Sequence, residues 1–472
     1  MPTCTIDGRQ VEFKPGENLV DAAKRAGISI PVFCYHPGLT VVAQCRMCAV
    51  EVQGIKKIQT ACSTKAAEGM VVSTTSEAAK QARQSVMEFL LINHPLDCPI
   101  CDRSGDCDLQ DNSYGHGGAY MRYTEERRTY MDLDMGPVIK KNMNRCIHCT
   151  RCIRFGAEVA GVREMVALQR SNNTEITTLD GRPLETDYAG NYADICPTGS
   201  LTLKDFRFKK RAWMVKKAQT VCEGCSKGCN IELHWDGNTV YRTLPRENQA
   251  VNKWWICDEG RFNFHYIHDE NRIVAPVTRK GSGMEEKSWS EVVGAARDAL
   301  KGKKVEILVG SDLTLEEAKM IQAFCRDMFP GAPISHFGTP GIKTSKDDGD
   351  ADKILKRKSK TSNLHGMEKL GIQPFSGLGK DAAALVFRGG RAVVPDLGSA
   401  LVVGVGVFLK PQAAKFEAVL PGASFAEKDG TIVNSAGMEQ KLVRAVLPPG
   451  ESRQVSEILM MLSRGGKGAG VA

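Results

Sequence analysis

The segment from Cys146 to Cys152 reads Cys-Ile-His-Cys-Thr-Arg-Cys and carries three cysteines at intervals of three residues. This spacing lets one turn of backbone direct three thiolates toward one iron-sulfur cube, with the fourth ligand supplied from elsewhere. A Cys-Pro pair follows at 196–197, and it supplies the predicted fourth ligand. We call Cys146, Cys149, Cys152 and Cys196 the central set. The alternatives are a zinc site, which normally has paired C-x2-C halves, or structural core cysteines.

A second group of cysteines lies near the N-terminus, after a predicted hairpin turning at Asp7-Gly8 and a short amphipathic helix over residues 17–26. It consists of Cys34, Cys45, Cys48 and Cys62, with ten, two and thirteen residues between them, and we call it the N-terminal set. This order resembles the plant-type [2Fe-2S] ferredoxin domain, although the first gap is longer than is usual in that family. The resemblance implies a [2Fe-2S] cluster on these four thiolates.

A third group of candidate ligands follows a helix predicted over residues 77–93, with a capping box at Thr74 and Glu77. The apolar face of that helix is predicted to be Ala82, Val86, Phe89 and Leu90. Three cysteines cannot fill the four corners of a [4Fe-4S] cube, and the nearest candidate for the missing ligand is a histidine. The His94 set is therefore His94, Cys98, Cys101 and Cys107. A lone histidine is also common as a capping or surface group, so the residues alone leave both interpretations open.

The fourth group encloses a predicted hairpin that turns at 236–238 and consists of Cys222, Cys225, Cys229 and Cys257, the Cys222 set. Together with Trp-Ile-Cys-Asp-Glu-Gly-Arg at 255–261, it resembles the [4Fe-4S] domain of molybdopterin oxidoreductases. A zinc site is the alternative. Beyond residue 288, strands and helices alternate, as at 305–310 and 315–328, which predicts an α/β domain.

Residues 420–434 resemble a late stretch of the molybdopterin-type domain, but much of that domain is missing here. The family places a cysteine, selenocysteine or serine on the metal. The only later cysteine is Cys325, inside a predicted helix. We therefore expect no molybdenum cofactor.

The segment His-Pro-Leu-Asp-Cys-Pro-Ile-Cys-Asp at 94–102, followed by Gly105, Cys107 and Leu-Gln-Asp at 109–111, makes the resemblance specific. It is similar to the signature of the large iron-sulfur subunit of bacterial NADH:quinone oxidoreductases, respiratory complex I. The N-terminal and central sets match the same family, over residues 1 to about 260. The resemblance implies that His94 is a cluster ligand. It also implies that the Cys222 set, kept whole only in some bacterial members, lies off the main electron route.

We therefore expect an α+β multidomain protein. The predicted domains are a β-grasp [2Fe-2S] ferredoxin domain at 1–76, a ferredoxin-like double-cluster domain at 77–210, a molybdopterin-type [4Fe-4S] domain at 211–275 and a truncated α/β remnant at 276–472. The sixteen ligands would hold one [2Fe-2S] and three [4Fe-4S] clusters. Cys4 and Cys325 are left over.

Composition supports a metal-binding protein of a reducing compartment. The 17 cysteines of the 472 residues form short-spaced groups almost wholly within the first 257 positions, which argues against a disulfide framework. The contents of 25% charged and 42% hydrophobic residues are ordinary for a soluble protein. We expect no signal peptide, and the apolar run at 400–409 is about half the length that crosses a bilayer.

For several charged segments, the sequence permits more than one interpretation. Arg145, Arg151 and Arg154 flank the central thiolates and either offset cluster charge or form a solvated face. The basic, aromatic run at 204–217 could bind single-stranded nucleic acid, but a strand or subunit contact explains it as well, so we expect no nucleic acid. Residues 343–365 predict a flexible loop at a deletion, and the tail from Gly465 predicts disorder.

No dinucleotide or Walker motif is present, and we predict no substrate site on this chain alone. The resemblance implies an electron-relay subunit of a hetero-oligomeric translocase. A flavin subunit that oxidises NADH would pass single electrons to it, and quinone-side iron-sulfur subunits would receive them. It also implies a position in the peripheral arm at the cytoplasmic face of the inner membrane, with membrane contact through partners. The alternatives are a relay subunit of a soluble NAD-linked hydrogenase, formate dehydrogenase or diaphorase, and a zinc-bound scaffold.

Overall fold

The computed structural model describes residues 1–118, 121–281 and 283–464. The chain divides into two compact units, Met1–Met214 and Val215–Ala472, which are described separately. The glycine-rich tail predicted to be disordered lies outside the described residues.

The first unit contains ten strands and five α-helices within its described residues. In chain order they are β1 (Thr3–Ile6), β2 (Arg9–Glu12), α1 (Leu19–Arg25), β3 (Ala49–Val52), β4 (Gln59–Thr60), β5 (Val71–Ser73), α2 (Glu77–Leu91), α3 (Asp108–His116), β6 (Leu133–Asp134), β7 (Ile139–Lys141), α4 (Arg151–Phe155), β8 (Met165–Leu168), β9 (Glu175–Thr178), α5 (Gly190–Ile195) and β10 (Leu201–Leu203). A π-helical turn, Gly156–Ala160, extends α4.

The first five strands form one sheet in the order β2-β1-β5-β3-β4. Strand β1 pairs antiparallel with β2 through a turn at Asp7-Gly8, and parallel with β5. The apolar face of α1, with Leu19, Ala22 and Ala23 buried, belongs to the same core as Ile6 of β1. This is a β-grasp arrangement, and the N-terminal set lies in its loops, with Cys48 and Cys62 part of the core. The remaining strands form the small sheets β10-β7-β6 and β8-β9.

Helix α2 begins differently from the sequence prediction. Its N-cap is Ser76, whose side chain accepts from the Ala79 amide, and Thr74 instead donates its hydroxyl to Asp7 Oδ2. The predicted capping box is therefore wrong, although the helix itself is present. The predicted apolar face is also displaced, because Phe89 is 76% exposed whereas Ala79, Arg83 and Met87 are buried.

The second unit contains thirteen strands and six α-helices within its described residues. They are β11 (Lys216–Val221), β12 (Asn230–Asp236), β13 (Thr239–Pro245), α6 (Asp258–Phe262), β14 (Val277–Lys280), β15 (Gly283–Glu286), α7 (Trp289–Leu300), β16 (Lys304–Gly310), α8 (Leu315–Met328), β17 (Ile334–Phe337), α9 (Leu364–Lys369), β18 (Gln373–Pro374), β19 (Ala382–Arg388), β20 (Val402–Gly406), α10 (Lys410–Ala413), β21 (Ala418–Pro421), β22 (Gly430–Val433), β23 (Glu439–Leu442) and α11 (Val455–Arg464).

An eight-stranded sheet in the order β15-β14-β21-β20-β19-β16-β17-β18 organises this unit. The strands from β21 to β18 run parallel, and β14 and β15 add an antiparallel edge. Every residue of β19 and β20 is buried, and apolar clusters cover both faces of the sheet. Parallel sheets need such cover on both faces, which explains the unbroken apolar runs in the sequence. The Cys222 set belongs instead to a separate three-stranded sheet, β11-β12-β13, and the helix that follows it.

Part of the segment 343–365, for which the sequence predicts a flexible loop, is buried in the second unit. Asp348 is 2% exposed, and its carboxylate accepts from the Ser359 amide at 3.0 Å and from Ser226 Oγ at 2.5 Å. Asn363 is fully buried and donates to the Leu313 carbonyl at 2.7 Å. Polar side chains that satisfy buried backbone groups replace the apolar contacts that the composition lacks.

Among the described residues, no helix has the length and hydropathy required to span a bilayer.

Candidate metal centres

The N-terminal set lies on the loops between α1 and β3 and after β4, and three of its cysteines are buried while Cys45 is half-buried. The thiols form two hydrogen-bonded pairs, Cys34 with Cys45 and Cys48 with Cys62. The bond to Cys45 lowers the pKa of the Cys34 thiol to about 5, and the bond to Cys62 lowers the pKa of Cys48. A [2Fe-2S] cluster has four cysteine ligands, two on each of its two irons, so this pairwise arrangement fits such a cluster.

Backbone strain accompanies this loop. Ala43 and Arg46, on either side of Cys45, have φ values of 50° and 61°. Non-glycine residues rarely occupy this left-handed region, and they cluster at functional loops. The same feature recurs in the central set, where His148 and Thr150 flank Cys149 with φ of 53° and 59°.

The central set is drawn from the loop before α4, the first turn of α4 and the C-cap of α5. All four thiols line one small cavity, whose other walls include Ile147, Met165, Ile176 and Leu201. Burial raises the pKa of Cys146 to about 11 and that of Cys149 to about 12, and neighbouring thiols add to both shifts. Four crowded thiols in a mostly apolar, buried pocket are therefore costly to ionise without a bound cation, as expected of metal ligands.

The His94 set is more open. His94, Cys98 and Cys107 line one groove, Cys101 is buried, and Cys98 is exposed. Cys107 is the N-cap of α3, and burial raises the pKa of its thiol to about 11, with a smaller contribution from Cys101. Gly199 leaves room for the Cys101 thiol, because a Cβ at this glycine would lie 2.2 Å from Cys101 Sγ.

The His94 imidazole has the properties of a metal ligand. Its Nδ1 is buried and has no hydrogen-bond partner. Burial, and then the charge of Arg145, lower the pKa of His94 to about 4, so the ring is neutral at pH 7. A histidine must be neutral to bind a metal, and buried nitrogens without partners are rare.

All four cysteines of the Cys222 set are buried, and they lie between β11 and β12 and at the N-cap of α6. Desolvation raises the pKa of each thiol, and nearby thiols raise the pKa of Cys222, Cys229 and Cys257 further. The Gly224 and Gly260 amides donate to Cys222 Sγ and Cys257 Sγ, each at 3.3 Å. A side chain at Gly260 would lie 2.9 Å from Cys222 Sγ, so the backbone approaches this set closely.

In the described part of the chain, no three histidine, cysteine, aspartate or glutamate side chains are arranged to hold a single metal ion. Cluster ligation does not require that convergence, because each thiolate binds one of several irons. The donor chemistry of the four sets, fifteen thiols and one imidazole, fits iron-sulfur clusters.

The arginines beside the central set are buried, and the alternative of a solvated face is wrong. Arg145, Arg151 and Arg154 are 5%, 7% and 7% exposed. Arg145 forms an ion pair with Asp97 at 2.8 Å, and Arg151 donates to the carbonyls of Tyr35 and Ile195. The sequence shows that these residues are adjacent to cysteines, but it does not show whether their side chains are buried or exposed to solvent.

The part of the basic run 204–217 that lies in the first unit forms many contacts within that unit. Lys204, Arg207 and Lys209 form ion pairs with Asp134, Asp132 and Asp205. Arg211 donates to the carbonyls of Cys101 and Pro99, at the edge of the His94 set. These contacts account for the charge of the run as part of the fold.

One buried residue near a cysteine set was missed at the sequence level. Arg83 of α2 is 4% exposed, and its Nη2 donates to the Ala49 carbonyl, next to Cys48, at 2.8 Å. A signal existed, because Ala79, Arg83 and Met87 are spaced by four and share one helix face.

Family comparisons match the chain in five segments. Residues 1–77 match a "2Fe-2S iron-sulfur cluster binding domain" and residues 83–121 an "NADH-ubiquinone oxidoreductase-G iron-sulfur binding region". Residues 136–202 match the "NADH-quinone oxidoreductase subunit 3, ferredoxin-like domain". Residues 215–269 match the "Molybdopterin oxidoreductase Fe4S4 domain", and 394–464 match "Molybdopterin oxidoreductase". The expected fold class is confirmed. A [2Fe-2S] domain, a ferredoxin-like domain and an Fe4S4 domain precede a truncated molybdopterin-oxidoreductase-like domain.

Curated relatives carry consistent names. The chain is 39% identical over 326 residues to the G subunit of the NADH-quinone oxidoreductase of Rickettsia felis, which covers 68% of this chain and 48% of the relative. It is 40% identical over 319 residues to the mitochondrial NADH dehydrogenase [ubiquinone] iron-sulfur protein 1 of Solanum tuberosum, covering 67% and 43%. The chain thus spans about half the length of the curated relatives it matches. Among solved structures, an NAD+-reducing [NiFe]-hydrogenase chain aligns with a TM-score of 0.40 and 32% identity, covering 44% of this chain and 90% of that one.

Proposed function

We propose that this chain, which is 39% identical over two thirds of its length to the G subunit of an NADH-quinone oxidoreductase, is an electron-relay subunit of a larger NADH:quinone oxidoreductase. The observation that carries the proposal is that thiols of the same set lie close to one another. The N-terminal set forms two pairs, the central set lines one cavity, and the thiols of the Cys222 set lie close enough to raise one another's pKa. No substrate site on this chain is part of the proposal.

We assign one [2Fe-2S] cluster to the N-terminal set and one [4Fe-4S] cluster to each of the His94, central and Cys222 sets, without a molybdenum cofactor. When bound, such clusters accept and release one electron at a time. The protein's own residues hold the thiolates in place, exclude water and set the local charge. Neutral His94 adds no negative charge where a thiolate would, which by itself favours a higher potential for that centre.

The proposed order along the main route is the N-terminal set, the central set and then the His94 set. Contacts within the first unit support this order. Gln44, next to Cys45, donates to the carbonyl of His148 in the central segment at 2.5 Å. On the other side, the Pro197 carbonyl, next to Cys196, accepts from the Leu109 amide at 3.4 Å and from Cys107 Sγ at 3.7 Å. The central set therefore has backbone contacts with both of the others.

We further propose that the N-terminal set receives electrons from a flavin subunit that oxidises NADH, and that quinone-side iron-sulfur subunits accept them. The complex would be a hetero-oligomer, with this chain in a peripheral arm at the cytoplasmic face of the inner membrane. Membrane contact would occur through partners, and nucleic acid would take no part. The proposed domain boundaries remain 1–76, 77–210, 211–275 and 276–472.

A relay subunit of a soluble NAD-linked hydrogenase or diaphorase is the alternative function. The match of residues 215–269 to the molybdopterin Fe4S4 domain, together with the names of the curated relatives, favours the quinone oxidoreductase. Copurification from the host distinguishes the two, because the proposal expects membrane-arm proteins beside a flavin subunit. A flavin partner and a hydrogenase subunit without membrane proteins would favour the alternative.

Metal analysis tests the proposal directly. The full chain, purified without oxygen, should contain iron and acid-labile sulfide in equal amounts and little zinc. Dithionite reduction should bleach the visible absorption and produce magnetic resonance signals of one [2Fe-2S] and several [4Fe-4S] centres. Zinc bound without iron or sulfide would contradict the relay function and support a scaffold.

A further inference from the structure

The ten residues between Cys34 and Cys45 form several hydrogen bonds with the segment that carries the central set. Thr40, in the middle of this loop, donates its amide and hydroxyl to Glu158 at 2.8 and 2.5 Å. Arg154 donates through Nη1 to the Thr40 carbonyl at 2.5 Å, and Arg151 donates to the Tyr35 carbonyl at 2.7 Å. Three residues of the helical segment 151–160, which includes Cys152, therefore hold the loop. Its length, greater than in plant-type ferredoxins, provides the residues that make this contact.

Arg154 contacts one cysteine in each of the two sets. Its Nη2 donates to the carbonyl of Cys34, in the N-terminal set, at 2.5 Å and to the carbonyl of Cys149, in the central set, at 3.3 Å. The side chain is 7% exposed, and its Nε is buried without a partner. Its Nη1 donates to the Thr40 carbonyl at the same time, so the planar guanidinium bonds three carbonyls through two nitrogens, whereas lysine has a single ammonium nitrogen.

The hydrogen bonds of Arg154 go to carbonyl oxygens, so they orient its charge without neutralising it. A buried cation is costly unless negative groups lie nearby. Thiolates on either side would supply that negative charge.

We propose that Arg154 is a positioning residue shared by two electron-transfer centres: it holds the carbonyls of Cys34 and Cys149 on one nitrogen and places one positive charge between the N-terminal and central sets. This inference rests on the proposed function, since it requires a cluster at each set. A positive charge favours the reduced state of a nearby centre, so Arg154 raises the reduction potentials of both. It also fixes the separation of the two loops.

The test is a redox titration of the full-length chain, with both centres followed by magnetic resonance. Arg154→Gln removes the charge, and the midpoint potentials of the [2Fe-2S] centre and of the central [4Fe-4S] centre should both shift to more negative values. Arg83→Gln is the matched control, because Arg83 is equally buried and donates to a carbonyl beside the N-terminal set alone. This control should move the [2Fe-2S] potential and leave the central one unchanged.

Arg154→Lys separates charge from geometry. Lysine keeps the charge, and its single nitrogen can bond two carbonyls, but it has no second nitrogen for the Thr40 carbonyl. Both potentials should therefore lie between those of the wild type and of Arg154→Gln. If Arg154→Gln does not assemble, joint loss of these two signals with retention of the other two supports the proposal. A change confined to one centre, or to neither, overturns it. A wild-type chain without iron and sulfide would instead refute the proposed function itself.

Discussion

At the scale of single residues, the His94 set depends on groups that are not ligands. Cys101 fits only because residue 199 has no side chain. His94 is held by its backbone, since its carbonyl accepts from Arg127 at 2.8 Å, while its buried Nδ1 has no partner. Arg145, whose charge lowers the pKa of His94, forms an ion pair with Asp97. Small steric changes at Gly199 or at His94 should therefore disturb this centre without disturbing the fold.

Gly199→Ala tests this dependence. The new Cβ would lie 2.2 Å from Cys101 Sγ, so the thiol must move away and the [4Fe-4S] signal of the His94 set should be lost or altered. His94→Ala should affect the same signal. Gly115→Ala, in α3 with no atom within 4 Å of the added Cβ, should leave all signals unchanged. Magnetic resonance of the reduced chain measures the result, and a normal signal in Gly199→Ala or His94→Ala would contradict the assigned ligands.

At the scale of elements, helix α2 joins the β-grasp core to the His94 set. It begins at the Ser76 cap, buries Arg83 and Met87, and ends at Leu91, three residues before His94. Met87 belongs to the same buried cluster as Cys34 and Cys107, which are cysteines of two different sets. The position of the helix is therefore coupled to two centres, and its N-terminal cap contributes to that position.

Ser76→Ala should weaken the first turn of α2. Loss of an N-cap hydrogen bond costs about 1 kcal/mol, which corresponds to roughly fivefold faster local opening. Amide hydrogen exchange of Ala79 and Lys80, whose amides donate to the side chain and carbonyl of Ser76, measures this opening. Ser85→Ala is the control in the same helix: Ser85 is exposed, and alanine is the better helix former, so exchange should be unchanged or slower. Equal exchange in the wild type and Ser76→Ala would show that the cap is not at Ser76.

At the scale of the whole molecule, the cysteine sets are divided between two compact units. The N-terminal, His94 and central sets lie within Met1–Met214, and the Cys222 set lies within Val215–Ala472. The second unit packs its own core despite its shortened sequence, with apolar clusters on both faces of the eight-stranded sheet. It also contains a fully buried ion pair, Arg272 with Glu427 at 2.6 Å. Each unit therefore has the internal contacts needed to hold its own centres.

Cys225→Ser tests this division. A serine hydroxyl is a poor substitute for a thiolate, so the centre of the Cys222 set should be lost while the three centres of the first unit keep their signals. Turnover of the assembled complex should stay largely intact, because we place this centre off the main route. Cys325→Ser is the control, since Cys325 is buried in α8 and belongs to no set. Loss of turnover in a correctly assembled Cys225→Ser complex would place the centre on that route.

Cysteine spacing determined the candidate centres from the sequence alone, because ligands within one loop are local in the chain. The central triplet and the Cys222 group needed no tertiary information. Helix α8 and the β12–β13 turn were also predicted correctly, since periodicity and turn residues act over short distances. The family resemblance added His94, which residue types alone left open.

Only the tertiary structure decided which distant groups surround each centre. The thiol pairing within the N-terminal set, the space at Gly199 and the burial of Arg83 and Arg154 depend on contacts between segments far apart in the chain. The burial of part of 343–365 was not predicted for the same reason, because its polar side chains are satisfied by residues from elsewhere in its unit. Sequence patterns record the period of an element and the spacing of ligands, whereas burial and charge pairing arise when separate elements meet.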